Sequence, residues 1–407
     1  MSSALLRILA TLYLLNFFNL FLRTSFGVMA PELEREMGFS PAVLSTIASA
    51  LFVAYALMQI PTGMMLDRYG PRRVLSVMLL FTAAGTALFA VGESSLTLTM
   101  GRVLMGIGCA GGFTGAFYII AMWLPPDRIV TQTGALNSFA AVGNLFATAP
   151  LAALIALIGW RESYWLFTVL ILLLTVALAV YVRDTPPDHA PRQAKSEPFL
   201  AVLAGARDAV RQPSMWRLLL IGLPMSASGA ISGAWGAPYL KHVHGLNDIE
   251  RGSVLLFMAL GGIGGHFFYG RVARWCNSLK YPVLVGGLVV LAVTGGMAIM
   301  ERPSVRLVTA MFVVLSICSA YPTVAHAYAR GLVPANLMGR GVAASNMGIM
   351  TAIAAAQFTF GWILGSFPAV AGVPPEIAYR WAFGVQATLA LIGAIVLAGL
   401  RDVKPRG

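Results

Sequence analysis

The expected architecture is an all-α integral membrane protein, with twelve transmembrane helices in two pseudo-symmetric six-helix bundles. Three observations lead there. Of the 407 residues, 58% are hydrophobic and 11% charged, with mean hydropathy +0.78, whereas soluble domains carry about 25% charged residues. Apolar runs of the roughly 20 residues needed to cross a bilayer core recur along the whole chain. The second half also repeats features of the first at a nearly constant offset. Composition excludes a water-soluble enzyme, a disordered chain and a disulfide-rich secreted domain.

The spans centre near residues 17, 53, 83, 110, 144, 171, 228, 260, 290, 317, 353 and 389. Turn-forming or charged clusters separate them, at Glu32–Gly38, Asp67–Arg73, Pro125–Arg128, Asp184–Pro213, Arg271–Lys280, Pro334–Arg340 and Pro374–Arg380. The longest polar segment, 184–213, reads as a cytoplasmic linker joining bundles at 1–183 and 214–407. No length remains for a separate soluble domain. The first apolar run contains Asn16, Asn19 and Arg23 and lacks a small-residue cleavage site, so no cleavable signal peptide is expected.

The net charge of +12 is topological rather than a sign of nucleic-acid binding. With the spans alternating across the bilayer, 19 of the 28 Lys and Arg residues fall on the side holding both termini and the linker. Seven lie opposite, and Arg23 and Arg102 lie within spans. The positive-inside rule then puts both termini in the cytoplasm of a cell inner membrane. The 16 acids divide 7 to 9 between the sides, with none assigned to a span. Cys109, Cys276 and Cys318 have no metal-ligand or disulfide spacing.

Ala30-Pro31-x-Leu33 followed by Gly38 recurs as Ala237-Pro238-x-Leu240 followed by Gly245, at an offset of 207 that also carries Gly63 onto Gly270. An offset of 209 carries Pro125 and Asn137 onto Pro334 and Asn346. Chance matching of common membrane residues is the competing account, but agreement at almost one offset favours duplication. Duplicated transporters place their site near the midplane, where the repeats meet.

Residues 63–73 read Gly63-Met-Met-Leu-Asp67-Arg68-Tyr-Gly70-Pro-Arg72-Arg73. This resembles the Gly-x-x-x-Asp-Arg-x-Gly-x-Arg-Arg signature of the major facilitator superfamily, between spans 2 and 3. A simple positive-inside turn would explain the three arginines but not Asp67, Gly63 or Gly70. The resemblance extends over the whole chain through the twelve spans and central linker. It implies a gating role for Gly63, Asp67, Arg68, Gly70, Arg72 and Arg73, with Asp67 latching the cytoplasmic side against the start of span 11, near Gly339–Gly341. A carboxylate at a helix end is suited to a helix N-terminus or an arginine. The second-half copy has Arg271 where the acid should stand.

Span 4 carries Gly101-Arg102-x-x-x-Gly106, similar to the family's Arg-x-x-x-Gly motif. Span 5 reads Ala147-Thr-Ala149-Pro150 and matches poorly the glycine-flanked signature of drug antiporters. Asn19-x-x-x-Arg23 before Ala30-Pro31, together with Arg102 through Ala110-Gly111 and Phe113, resembles the organic anion:cation symporter branch. In that branch two arginines bind a carboxylate while an Asp and a Glu carry protons. Here the acid positions are Leu22 and Cys109. The anion-binding implication carries over to Arg23 and Arg102; the proton-coupling implication does not.

Arginine at a span centre costs at least about 2.5–3.5 kcal/mol and marks a functional candidate. Asn16, Asn19 and Arg23 share one helix face. The competing roles are snorkelling to the headgroups for Arg23 and helix–helix bonding for Arg102. Further substrate-site candidates are Tyr55, Gln59, Asn137, Trp235, Tyr239, His326, Asn346 and Gln357, on spans that line the cavity in relatives. Polar residues in membrane helices also act as interhelical glue. His266 and His326 are the side chains within the assigned spans that titrate near neutral pH, and His326 is the better candidate if protons are coupled.

The sequence thus points to a secondary transporter moving a small organic anion by rocker-switch alternating access, and not to an enzyme. It is expected to act as a monomer in the lipid bilayer, without cofactor, metal or nucleic acid, using a coupling ion or a counter-transported anion. The alternatives are an exporter of amphipathic drugs or siderophores and a non-transporting facilitator-like sensor.

Overall fold

The computed structural model describes residues 3–185, 213–320, 324–325, 328, 338–369 and 373–404. Ser3–Met37 form helix α1 and Pro41–Tyr69 form α2. The expected break at Glu32–Gly38 is a difference: α1 continues through Pro31 and ends only at Gly38, with φ 65°. Charged residues continue a helix at its wet end as readily as they stop one. Glycine stops it here because a Cβ is strained at a left-handed cap.

Pro71–Ala90 form α3, preceded by Gly70 with φ 79° and started by a proline whose missing N–H costs nothing at that position. Ser95–Cys109 form α4, capped by reciprocal Ser94–Thr97 bonds, and Gly112–Trp123 form α5 after a break at Ala110-Gly111. Pro126–Phe146 and Ala149–Ile158 form α6 and α7, and Trp160–Tyr181 form α8.

The segment expected as span 7 comes in pieces: α9 (Pro213–Leu220), α10 (Leu223–Ala230), a π-helical turn at Ile231–Trp235 and α11 (Gly236–His244). Then follow α12 (Asp248–Trp275), α13 (Lys280–Ile299), α14 (Val305–Cys318), α15 (Met338–Ser366) and α16 (Glu376–Ala398). Among the described residues nine helices are long and apolar enough to cross a membrane, and the pair Thr131–Phe146 with Ala149–Ile158, bent by 45°, makes a tenth. The remaining two expected spans correspond to the segmented α9–α11 and to α14, an apolar helix of 14 residues. This is a multi-pass membrane protein.

Contacts group the described residues into two units, one from Met1–Ser25 with Val53–Val202, the other from Phe26–Phe52 with Leu203–Gly407. The division passes through α1 and α2. In the first unit α3 packs most extensively on α4 and α8. Small residues let the backbones meet: a Cβ on Gly85 would lie 2.7 Å from the Gly101 carbonyl, and one on Gly108 would overlap Thr82 and the Met78 carbonyl.

In the second unit α13 packs on α16 and α12 on α14. The α1–α2 hairpin segment 26–52 belongs to this unit and lies close to its helices: a Cβ on Gly27 would sit 2.7 Å from the Ser232 carbonyl. The sequence repeat has a backbone counterpart. Gly38 ends α1 at φ 65° and Gly245 ends α11 at φ 68°, with Pro31 and Pro238 inside the preceding helices.

Candidate functional site

In the first unit, α1 faces the break between α4 and α5. Asn16 and Asn19 are buried, and both donate to main chain: Asn16 Nδ2 to the Leu12 and Gly112 carbonyls at 3.0 and 3.3 Å, and Asn19 Nδ2 to the Cys109 carbonyl at 2.6 Å. Peptide oxygens released where α4 ends are thereby partnered, as buried acceptors require. Gln59 Nε2 reaches the next carbonyl, Ala110, at 3.5 Å. One helix turn beyond Asn19, the guanidinium carbon of the half-buried Arg23 lies over the Tyr55 ring, 5.3 Å from its centroid. A guanidinium beside an aromatic ring is attracted to it, and its planar donor fork matches a carboxylate.

Arg102 is fully buried and donates from Nη1 to the Leu22 carbonyl at 2.9 Å. Where the resembling branch has an aspartate side chain, this chain offers a main-chain oxygen. Tyr164, within electrostatic reach of Arg102, lies 3.1 Å from Ser25 Oγ. Neither was among the sequence candidates, although Ser163, Tyr164 and Thr168 form a polar group in span 6. Asn137 is exposed on α6, and Asn144 accepts from Thr24 Oγ1 at 2.5 Å, tying α6 to α1.

In the second unit, the candidates meet one another in packing. Trp235 ends the π-helical turn, stacks on Phe360 with centroids 5.6 Å apart, and donates to the Gln357 carbonyl at 3.0 Å. Gln357, itself buried, donates to the Gly229 carbonyl at 3.2 Å. Tyr239 is enclosed by Phe312, Tyr379 and Phe383. Asn346 is half-buried on α15, and His326 lies outside the described residues.

The 63–73 motif builds a corner within the first unit. Asp67 and Arg68 are exposed near the end of α2, with Arg68 over the Tyr69 ring. A Cβ on Gly70 would lie 2.5 Å from Asp184 Oδ2, and the Arg72 backbone N–H donates to Asp184 Oδ1 at 2.7 Å. The Arg72 side chain donates to the Ala179 carbonyl at the end of α8. The sequence reads Asp184 as the first linker residue, and its place just after the apolar span and Arg183 is the signal it offers. The side chains around Gly339–Gly341, the expected partner of Asp67, lie outside the described residues.

Comparison with known proteins decides the family. The sequence profile of the Major Facilitator Superfamily matches residues 12–300, most of the chain. The chain belongs to that superfamily. Among its relatives is a Cupriavidus necator protein named "Probable sulfoacetate transporter SauU", 29% identical over 63% of this chain and 61% of the relative. A second, the "Probable L-galactonate transporter" of Escherichia coli, is 25% identical over 78% of this chain and 69% of the relative. The chain thus spans 61% of the length of SauU in the matched region. Among solved structures, a bacterial homologue of the human lysosomal transporter Spinster superposes with TM-score 0.74 at 18% identity, covering 98% of this chain and 97% of that one. This likeness establishes the facilitator fold.

Proposed function

We propose that the protein is a secondary transporter of a small organic anion, working by alternating access, with Arg23 as the group that meets the anionic head. The observation that carries the proposal is the Arg23 guanidinium lying over the Tyr55 ring, on a helix face whose neighbouring amides are committed to main chain. Both relatives named above are named for organic acids, sulfoacetate and L-galactonate. A carboxylate or sulfonate is the chemistry a bidentate guanidinium edge selects. Arg102 takes a positioning role, fastening α4 to α1 at Leu22, so that the two arginines divide recognition and support.

Burial of Trp235 and Tyr239 in aromatic packing favours the anion reading over an exporter of amphipathic compounds, whose pocket would need apolar rings at its surface. The charge bias across the spans supports an inner-membrane location with both termini in the cytoplasm. Uptake by the full-length protein in proteoliposomes tests the proposal, with sulfoacetate, L-galactonate, galactitol and choline as solutes. Accumulation or exchange of the acids alone supports it. Movement of galactitol or choline without the acids refutes it. Varying outside pH and trans-anion then separates proton coupling from exchange.

A further inference from the structure

The sequence places acids outside the spans, and one of them, at the end of α1, is held by the second unit through a buried histidine. Glu34 lies on the last turns of α1, beyond Ser25–Phe26, where that helix passes into the second unit. Its Oε2 is 2.9 Å from His242 Nε2, and His242 Nδ1 is 2.7 Å from the Tyr379 hydroxyl. The His242 side chain is only 4% exposed and that of Glu34 18%. Three segments distant in sequence, α1, α11 and α16, therefore converge on one imidazole.

The chemistry gives this pair two grips. A carboxylate accepts only, so Nε2 must donate to Glu34 in either state. With neutral imidazole, Nδ1 accepts from the Tyr379 hydroxyl. With imidazolium, Nδ1 donates to it, and the contact with Glu34 becomes a charge-assisted bond, roughly twice as strong as a neutral one. Histidine changes between these states in the range pH 5–8.

The surroundings make His242 the variable element. On α1, Arg35 is paired with Glu32; on α12, Arg251, largely buried, is paired with Asp248 and lies within electrostatic reach of Glu32 and Glu34. Glu250 bonds the Asn247 backbone N–H, Glu376 bonds Arg302, and Arg380 bonds Glu301. Lys241 neighbours His242 in the chain, and Tyr239 and His244 form an edge-to-face pair on α11. Arg35, Arg302 and Arg380 each pair with another acid, and Arg251 pairs with Asp248 while contributing a fixed positive charge near Glu34, so the proton-dependent partner in contact with Glu34 is His242. Close by in the same unit the packing is dense: a Cβ on Gly361 would overlap Ser45 and Trp235.

The geometry points to His242, held between Glu34 and Tyr379, as a proton-sensitive fastener of the outer gate, gripping α1 most tightly when the imidazole is charged. This rests on the transporter reading above and on its membrane orientation. Any alternating-access movement that carries the α1–α2 hairpin away from α11 and α16 must break the Glu34–His242 contact. On this inference outside acidity favours the closed outer gate through the charge-assisted contact. The pair is a positioning device and needs no contact with the transported anion.

The test is made without substrate, so its failure is separable from failure of the anion reading. Full-length protein carrying Cys276→Ser is spin-labelled at Ser40→Cys and Ile249→Cys, both exposed positions, and placed in lipid nanodiscs. Pulsed-EPR distances are read at pH 5.5 and pH 8. The expected result is a longer-distance population about threefold or more larger at pH 8. His242→Gln, which keeps a donor for Glu34, abolishes that pH response, while His244→Gln retains it. Identical distributions at the two pH values in the parent protein overturn the inference, as does an undiminished response in His242→Gln.

Discussion

The two units place their charge differently. The first carries it inside: Arg102 is fully buried between α4 and α1, and Arg23 is half-buried over Tyr55. The second carries it at helix ends, where Glu34, His242, Arg251 and Glu376 sit around a core of Trp235, Tyr239 and Phe360. Interior cations are costly in a bilayer and persist where something negative visits or where main chain holds them. Terminal charges are cheap to separate and suited to contacts that form and break. Under the two proposals above, the first unit recognises charge and the second fastens a gate.

The largest effect that sharpens this contrast comes from Arg23. Arg23→Gln is expected to weaken uptake of the transported acid by roughly 30-fold or more in KM, the cost of about 2 kcal/mol for removing one partner of a buried charge pair. Arg23→Lys should recover only part of it, since an ammonium lacks the planar edge. Proteoliposome kinetics read both.

Arg102→Gln should instead act on the fold of the first unit. Loss of a buried, charged donor to the Leu22 carbonyl is expected to cost about 1.5–3 kcal/mol. It would appear as lower thermal stability in detergent before any change in KM. A selective KM effect with unchanged stability would erase the division between the two arginines.

Packing gives a third, smaller comparison. Gly108→Ala would push a methyl into Thr82 and the Met78 carbonyl, and overpacking of this kind costs about 1–3 kcal/mol. Gly264→Ala meets nothing within 4 Å and should leave thermal stability unchanged. Equal melting shifts would contradict the described α3–α4 contact.

The smallest effect belongs to the C-terminal end of the second unit. Burial pushes the Asp402 carboxyl up, but bonds from Ser278 and the Lys280 and Val403 backbone N–H groups outweigh it and hold it below the usual aspartate value. A depressed carboxyl contributes stability that is complete above the free value, about 3.9, and is lost as pH falls through the folded one. Melting of the parent protein should therefore decline more steeply than that of Asp402→Asn as pH drops below about 4. Parallel pH profiles would remove any role for this cap.

Much of this was legible in the sequence because a bilayer restricts what can cross it. Apolar length, the 63–73 motif and the paired Gly38 and Gly245 stops each report a local requirement. What stayed hidden depends on contacts between distant segments. Nothing near Glu34 announces His242, 208 positions away. Arg102 reads as a substrate ligand, and its bond to the Leu22 carbonyl adds a structural contact that the sequence does not announce. Span 7 reads as one helix because hydropathy does not register a π-helical turn at Ile231–Trp235.

The most direct test of the central claim is a binding cycle at Arg23. L-Galactonate and galactitol differ by the carboxylate, and each is titrated against the parent protein and Arg23→Gln, with sulfoacetate as a second anionic probe. The account predicts that the parent prefers an acid to galactitol by roughly 30-fold or more and that the preference collapses in Arg23→Gln. A preference for either acid that survives loss of the guanidinium would contradict it.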